Sequence, residues 1–464
     1  MVFGPGNFWM SVTILSGVVL GSLDTYVVNT GMPKVLAELG QPIFYSWVTS
    51  AFLLSQIVGL SIGGAWQDRS GLRTPFMISV AVFAVGSFCC AFVPSMSALV
   101  AARAFQGLGG GGVLAVCFAG AARYPEALRL RMYSLVPTAW GVVSLVAPLL
   151  GGILTDTVGW RWIFLLNAPL CAGVVALAIR GFAGASTGDR GRSLPVVRSV
   201  LLAVTVGALT AAPSAPLPVA TLLLIAGAGV GWMYLSQERK AAVPVIPVGT
   251  WRGSGPVGSS LLAAMLFAAA FSGATVFVPL YLQRLRDESA TKAGIVLTIG
   301  GLCWMVGSVF STGHARGPWP MRTVVGGALF VAAGALGVVI QIGIGTAPLA
   351  LLYLTWGLAA AGIGMGLLHV TNWAVVFSSP ALAGTASSAV QTLRLVGAAA
   401  SGAIMGALLN GLGADQAHLR TSLMAVFAFA AIIAFSLATV LRPRIPARPE
   451  LELPEGAALA AVEA

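Results

Sequence analysis

Long apolar runs separated by short polar loops repeat along the whole chain. A membrane-spanning helix needs about 20 mostly apolar residues, and 14 segments approach or exceed this length. They lie near 8–32, 43–65, 74–93, 97–120, 132–155, 161–180, 197–213, 217–236, 257–283, 291–312, 322–345, 347–370, 384–409 and 420–441. The seventh segment is short and bounded by prolines, and if it formed a re-entrant pair with the eighth, the number of spans would be 12.

Two polar stretches divide these segments into groups. Six segments precede a loop of Gly, Ser and Arg at 181–196, two precede a Pro-rich loop at 237–256, and six follow it. The pattern predicts an all-α membrane protein with two six-helix bundles and two extra helices. Its domains are an N-terminal bundle at 1–180, a linker region at 181–256 with extra spans at 197–213 and 217–236, a C-terminal bundle at 257–441, and a disordered cytoplasmic tail at 442–464.

Composition excludes a soluble protein. The chain is 58% apolar and 8% charged, whereas a soluble domain has about a quarter of its residues charged. The net charge of +11 would suggest nucleic acid in a soluble chain, but here the basic residues lie in short loops. We therefore expect contact with anionic lipid head groups and no nucleic-acid partner.

The basic residues also indicate topology. With the N-terminus in the cytoplasm, the inner loops and the tail hold 17 Lys and Arg residues and the outer loops hold six. Because cytoplasmic loops carry an excess of positive charge, this bias predicts cytoplasmic termini and an even number of spans. We expect a multi-pass protein of the plasma (inner) membrane that functions as a monomer.

Asp24 is the acidic residue that lies deep in an apolar segment, whereas the other acids fall at segment ends, in loops or in the tail. An ionisable group at membrane depth costs about 3 kcal/mol on insertion scales and indicates function. Gly17, Gly21, Val28 and Gly31 share its helix face. This small-residue face allows close approach of another helix or of water.

Arg103 lies about 9 Å into the fourth segment, and Asp24 lies about 14 Å from the outer end of the first. The two opposite charges therefore fall at similar levels. Burial disfavours the charged carboxylate and a nearby arginine favours it, so a change in their separation would change proton affinity. The alternative is that Arg103 bonds only to backbone carbonyls.

Arg394 lies close to mid-membrane in the thirteenth segment, with Gln391 one turn before it. Its partner is a backbone carbonyl, an anionic lipid or a polar part of a substrate. Together with Asn29 and Gln56, these residues are candidates for a substrate site or polar cavity.

No constellation of residues points to an enzyme or a metal site. The histidines and cysteines are scattered without ligand spacing, and no His/Asp/Glu or Cys/His cluster is present in the sequence. The GLGGGG run at 107–112 lacks the Lys-Ser/Thr of a phosphate loop and lies in a span. We expect no catalytic residues, no metal and no cofactor.

Several motifs match a known family. The chain reads LDTYVVNTGMP at 23–33, GAWQDRSGLRTPF at 64–76, LVAARAFQGLGGG at 99–111, GVVSLVAPLLGG at 141–152 and WRWIFLLNAP at 160–169. VPLYLQ at 278–283 and QTLRLVGAAASG at 391–402 extend the match into the second half. The sequence resembles the major facilitator superfamily, specifically its 14-span drug:proton antiporters, and the resemblance implies the major facilitator fold.

The resemblance also implies roles for matching residues. Asp24 and Arg103 correspond to the family's proton-linked pair. Two further sets correspond to a cytoplasmic latch that stabilises one conformation by charge pairing, and to the tightly packed, flexible stretch of exporters. The latch set is Gly64, Asp68, Arg69, Gly71 and Arg73, and the antiporter signature is Gly141, Pro148, Gly151 and Gly152.

These features predict a proton-coupled exporter of a lipophilic, cationic small molecule, driven by the proton gradient and working by alternating access. Its partners are then the small-molecule substrate, protons and membrane lipids. Two alternatives remain open: an exporter or flippase of lipid or of a biosynthetic product, and a proton-coupled nutrient symporter.

Overall fold

The computed structural model describes residues 2–4, 6–183, 196–241, 255–313, 319–378, 383–413 and 418–440. Within these ranges the chain is helical and contains no strand. Fourteen helical stretches of the described chain are long and apolar enough to cross a membrane. The predicted all-α architecture and the count of 14 spans are confirmed, whereas the predicted tail at 442–464 lies outside the described residues.

The helices follow the predicted segments closely. In chain order they are α1 Phe8–Leu39, α2 Tyr45–Ser70, α3 Arg73–Ala91, α4 Met96–Ala122, α5 Glu126–Thr157, α6 Arg161–Leu165, α7 Asn167–Gly181, α8 Val196–Ala211, α9 Leu217–Glu238, α10 Pro256–Thr275, α11 Val278–Leu280, α12 Ala290–Gly313, α13 Trp319–Ile344, α14 Leu349–Val376, α15 Ala383–Leu412 and α16 Leu419–Val440. A π-helical turn at Tyr281–Leu285 extends α11.

Helix α1 is longer than the sequence pattern indicates. The predicted end near residue 32 is wrong, because the helix continues through Pro33 to Leu39. It ends where Gly40 adopts a φ of 68° and its N–H donates to the Leu36 carbonyl at 3.0 Å. Asp24 therefore lies at the middle of α1, about 22 Å from its C-terminal end at 1.5 Å per residue.

The sixth predicted span consists of two helices. α6 ends at Leu165 and α7 begins at Asn167, with Leu166 between them in a right-handed helical conformation. Asn167, the first residue of α7, is a polar side chain that is fully buried in the helix bundle.

Helices α1–α7, here called the first bundle, pack tightly around α4. Its glycine run faces two neighbours: a Cβ at Gly107 or Gly111 would collide with the backbone of α2, and one at Gly109 with the backbone of α3. The run 107–112 is thus a packing surface within a helix. Small residues at such positions allow backbones to approach closely in a membrane, where packing replaces the hydrophobic effect.

Helices α10–α16, the second bundle, meet the first along two seams, α5 against α12 and α2 against α15. Both seams lie towards one end of the molecule, here called the Asp156 end because Lys34, Glu38 and Asp156 lie there. Ser50 on α2 donates to the Ala399 carbonyl at 3.0 Å, and Thr298 on α12 donates to the Leu145 carbonyl at 3.0 Å. The two bundles are therefore joined at the Asp156 end.

The two extra helices α8 and α9 pack against the outside of this assembly. Ser199 on α8 hydrogen-bonds Ser61 on α2, while Leu217, Leu222 and Trp232 on α9 are largely exposed. Glu238 lies at the end of its span, as expected for an acid, yet its side chain is buried and pairs with Arg198 at 3.0 Å. The domain boundaries proposed from the sequence remain predictions.

Gly111→Ala tests the close approach of α2 and α4. The new methyl group would overlap the Gln56 carbonyl oxygen and the Leu60 backbone nitrogen, and overpacking of this kind costs about 1–3 kcal/mol. We expect a lower melting temperature for the purified protein in detergent.

Gly173→Ala is the matched control, because no atom of the described residues lies within 4 Å of the position of its added Cβ. It should leave the melting temperature unchanged or raise it slightly, since alanine favours a helix over glycine. Equal destabilisation by both substitutions would contradict the packing assigned to Gly111.

Candidate functional site

The buried ion pair between α1 and α4 is the main feature of the first bundle. Arg103 Nη1 lies 2.6 Å from Asp24 Oδ2, and the two side chains are 1% and 0% exposed. The sequence placed the two charges at similar levels and left their contact open; the structure shows that they pair, so the alternative in which Arg103 bonds only to carbonyls is wrong. A charge with an adjacent counter-charge is tolerated at this depth, whereas an isolated charge is not.

Two amide side chains complete the surroundings of the carboxylate. Asp24 Oδ1 accepts hydrogen bonds from Gln106 Nε2 and from Asn167 Nδ2, both at 2.8 Å. Gln106 Oε1 also accepts from Arg103 Nη1 at 2.6 Å, and Asn167 Nδ2 contacts Ser87 Oγ at 2.8 Å. Since all three groups that contact Asp24 are donors, the arrangement fits an ionised carboxylate.

The sequence reasoning did not assign Gln106, Asn167 or Ser87 a role. Gln106 was detectable, because it follows Arg103 by three residues in an apolar helix and so lies on the same face. Asn167 stood in an apolar run, but its contact with Asp24, 143 residues earlier in the chain, is not visible as a pattern. Ser87 had no signal, since serines are common in membrane helices.

Aromatic rings enclose the arginine. The guanidinium carbon of Arg103 lies 4.0 Å from the centre of the Phe52 ring and 5.9 Å from that of Phe164. Rings at such distances attract a cation through their quadrupole and also exclude water. The pair is therefore held in a dry site on the α4 side of α1.

A separate cavity lies between the two bundles. It contains about 1020 Å³ of empty space, part of it open to solvent. Its walls come from α1, α2, α4 and α5 of the first bundle and from α10, α12 and α15 of the second. Asp24 is not a lining residue, whereas Gly21 and Thr25 of the same helix are.

The four candidates for a polar cavity, Asn29, Gln56, Gln391 and Arg394, all line this space. Arg394 Nη1 donates to Gln391 Oε1 at 2.8 Å, and its guanidinium lies 5.7 Å from the centre of the Trp140 ring. The structure thus brings residues of α1 and α2 together with residues of α15, which lies more than 300 residues later in the chain.

The latch residues lie at the other end of the first bundle, around the turn from α2 to α3. Gly71 has a φ of 78° and its N–H caps α2 by donating to the Gln67 carbonyl at 3.0 Å. Arg69 and Arg73 are exposed, and Gly64 has open space beside its Cα. The side chain of Asp68 lies outside the described residues, so charge pairing in the latch stays a prediction.

The antiporter signature lies where α5 fits between α1 and α12. A Cβ at Gly151 would collide with Val27 and Thr30 of α1, and one at Gly152 with the backbone of Ala290. Pro148 is buried in the same seam, opposite Gly294, whereas Gly141 has open space beside it. Two of the four signature residues, Pro148 and Gly152, therefore contribute to the contact that joins the bundles, while Gly151 packs α5 against α1 within the first bundle. The role of the signature in flexibility stays a prediction.

Asp156 closes the end of that seam. Its carboxylate accepts from Lys34 Nζ at 2.7 Å, from the Thr291 N–H at 2.8 Å and from Thr291 Oγ1 at 2.6 Å. The Ala290 N–H donates to it at 3.3 Å. One acid thus links α1 with the N-terminus of α12, where a negative charge is favoured by the free N–H groups.

Comparison with known proteins identifies the family. The model of the Major Facilitator Superfamily matches residues 14–402. The chain belongs to the Major Facilitator Superfamily. The fourteen apolar helices and this membership confirm the predicted family and the prediction of a multi-pass membrane protein.

Curated relatives match over much of the chain. A "Probable multidrug-efflux transporter" of Mycobacterium tuberculosis (strain ATCC 25618 / H37Rv) is 29% identical over 94% of this chain and 95% of its own length. "Multidrug resistance protein 3" of Bacillus subtilis (strain 168) is 28% identical over 64% of this chain and 60% of its own length.

Solved structures share the fold at low sequence identity. A crystal structure of a D-xylose–proton symporter has a TM-score of 0.69 at 15% identity, covering 95% of this chain and 98% of the other. An auto-inhibited POT family peptide transporter has a TM-score of 0.68 at 16% identity, covering 93% and 96%. The predicted major facilitator fold is confirmed.

Arg103→Ala tests the energetic role of the pair. The substitution would leave the buried Asp24 carboxylate without a counter-charge, which costs about 3–5 kcal/mol. We expect a strong loss of folded protein, measured by size-exclusion chromatography of a fluorescent fusion after heating.

Two further variants test whether the loss of folded protein in Arg103→Ala is caused by an unpaired buried charge. Asp24→Asn combined with Arg103→Gln removes both charges and should recover much of the loss, because no unpaired charge stays buried. Lys292→Ala removes the exposed partner of Glu288, and surface pairs of this kind contribute about 0–1 kcal/mol. A double variant as unstable as Arg103→Ala would refute this electrostatic explanation.

Proposed function

We propose that this chain is a proton-coupled exporter of lipophilic small molecules that works by alternating access. The observation that carries the proposal is the buried pair of Asp24 and Arg103, which lies beside the central cavity without lining it. Two relatives whose names describe multidrug efflux or resistance support export as the direction of transport.

The hydrogen bonds around Asp24 provide a way to bind and release a proton. The three donors around the ionised carboxylate must rearrange when it is protonated, because a carboxylic acid presents a donor of its own. Arg103 already contacts Gln106 Oε1, so this contact is available to the guanidinium when Asp24 becomes neutral. Protonation would therefore loosen α1 from α4 without leaving Arg103 unpartnered.

Helix α1 connects this proton site with the cavity. Asp24 faces α4, whereas Thr25, Tyr26 and Asn29 line the cavity on the other face of the same helix. A shift of α1 that follows protonation would displace cavity residues at the same time. This geometry couples the two sites through a rigid element and does not require proton and substrate to share one group.

The distribution of basic residues indicates which end of the molecule faces the cytoplasm. If the basic loops are cytoplasmic, the Asp156 end faces the outside. The seams at that end then close the cavity towards the outside, and substrate enters it from the cytoplasm or the inner leaflet. In this topology the protein belongs in the plasma membrane, protons enter from outside, and the gradient is the energy source.

The cavity walls support a lipophilic substrate but not the predicted positive charge. Leu53, Leu114, Phe118, Phe271 and Trp304 contribute apolar surface. Among the described residues that line the cavity, none is acidic. A cationic compound would find no counter-charge on these walls.

Asp24→Asn should abolish transport driven by a proton gradient, because an amide cannot take up and release the proton. Exchange of labelled for unlabelled substrate without a gradient should persist, since cavity residues are unchanged. Both rates are measured in proteoliposomes with the purified full-length chain. Glu38→Gln, which removes an exposed acid of the same helix, is the control and should keep both activities.

Gradient-driven efflux by Asp24→Asn would disprove the coupling. Transport assays in the same proteoliposomes distinguish the remaining alternative functions. Movement of a labelled lipid but not of dyes would indicate a lipid exporter or flippase, and uptake that increases with an inward proton gradient would indicate a symporter.

Asp156→Asn should weaken the closure between the bundles. It replaces a carboxylate by a group that accepts fewer and weaker hydrogen bonds from Lys34, Ala290 and Thr291. The closure is monitored by thiol labelling of Gln283→Cys, since the Gln283 side chain donates to the Thr30 carbonyl inside the closed end at 2.9 Å. We expect faster labelling when Asp156→Asn is added. Equal labelling rates for Gln283→Cys with and without Asp156→Asn would show that Asp156 does not hold this end closed.

A further inference from the structure

We infer that the central cavity binds lipophilic compounds that carry a negative charge, such as a carboxylate or a sulfonate, and that Arg394 is the group that recognises this charge. The inference rests on the proposed function, since it names the substrate class of the same cavity. It replaces the positive charge expected from the sequence.

The cavity has a net positive wall. Of the described residues that line it, Arg394 carries a charge and none is Asp or Glu. Asp24, which the sequence analysis placed at the centre of proton coupling, points the other way and is enclosed by Arg103, Gln106 and Asn167. A bound cation would therefore meet repulsion and find no carboxylate on these walls.

Arg394 has unused capacity for hydrogen bonds. An arginine has five N–H donors, and Arg394 Nη1 donates to Gln391 Oε1, a neutral oxygen. Its buried Nε has no hydrogen-bond partner in the described part of the chain. A cation in a water-poor site without a counter-charge is unfavourable, and an anion that enters the cavity would compensate it.

The surroundings of Arg394 favour an aromatic anion. The Trp140 ring lies on one side at 5.7 Å from the guanidinium, and Tyr26 also lines the cavity. Further into the cavity, Phe271 and Trp304 meet edge to face with ring centres 5.8 Å apart. A planar ring can pack against these aromatic side chains while its acidic group faces Arg394.

The direction of transport agrees with this charge. In the topology proposed above, an inside-negative membrane potential drives protons inwards and anions outwards. Both movements of an antiport cycle then proceed in the direction that the potential favours.

A matched pair of dyes tests the inference. 8-Anilinonaphthalene-1-sulfonate and N-phenyl-1-naphthylamine share one ring skeleton and differ by the sulfonate, and ethidium serves as an aromatic cation. Binding of each is measured by equilibrium dialysis with the full-length protein in lipid nanodiscs, after subtraction of empty nanodiscs. We expect the sulfonate to bind about tenfold or more tightly than either of the other dyes.

Arg394→Gln should weaken binding of the sulfonate by about 10- to 100-fold and leave the uncharged amine within about twofold, because only the charged contact is lost. Arg394→Lys should retain most of the affinity for the sulfonate. Lys292→Gln, at an exposed position away from the cavity, should bind all three dyes as the parent does.

Two results would overturn the assignment: tighter binding of ethidium than of the sulfonate, and equal losses for sulfonate and amine in Arg394→Gln. Transport assays in proteoliposomes keep this question apart from the proposed function. Charge-dependent binding without gradient-driven movement of the sulfonate would reject the proposed export and keep the site. Gradient-driven export of ethidium without binding or export of the sulfonate would keep the export and reject the site.

Discussion

The fold of the first bundle depends on one constraint, the burial of a carboxylate and a guanidinium in a place without water. Neither charge is stable there alone, so α1 and α4 must hold them together. Gln106 and Asn167 contribute the remaining donors to the carboxylate. The ring of Phe52 covers the guanidinium, and the glycine run of α4 lets α2 and α3 pack closely around the same helix.

The same helix has two faces with different chemistry. Towards α4 it presents Asp24 in a closed polar network, and towards the second bundle it presents Thr25, Tyr26 and Asn29 to an open cavity. Separating the titratable group from the cavity removes direct competition between proton and cargo. In the proposed function, coupling depends on movement of α1, and the charge of the cargo depends on the residues of the cavity wall instead.

Close backbone contacts restrict the proposed movement of α1 to a small number of distinct packing arrangements. Gly151 and Gly152 fit α5 against α1 and α12, and Asp156 links the same three helices at their common end. Packed glycine seams either match or clash and do not deform gradually. A seam sealed by one carboxylate at its end can therefore open as a unit when that contact is lost.

The order of apolar runs in the sequence was enough to predict the number and the positions of the membrane spans. Because a span must be about 20 residues long and must satisfy its own backbone hydrogen bonds, the 14 spans could be predicted from the sequence alone. The cost of burying a charge was enough to select Asp24, Arg103 and Arg394, since a charged residue inside an apolar run can be recognised before its partner is known.

Everything that depends on where side chains point came from the tertiary structure. The sequence could not show that α1 continues past Pro33 to Leu39, because a proline is tolerated when packing supports the helix. It could not show that Asp24 faces α4 and leaves Arg394 as the charge in the cavity. The periodicity of a helix tells which residues share a face, but only the packing of helices distant in the chain decides what that face contacts.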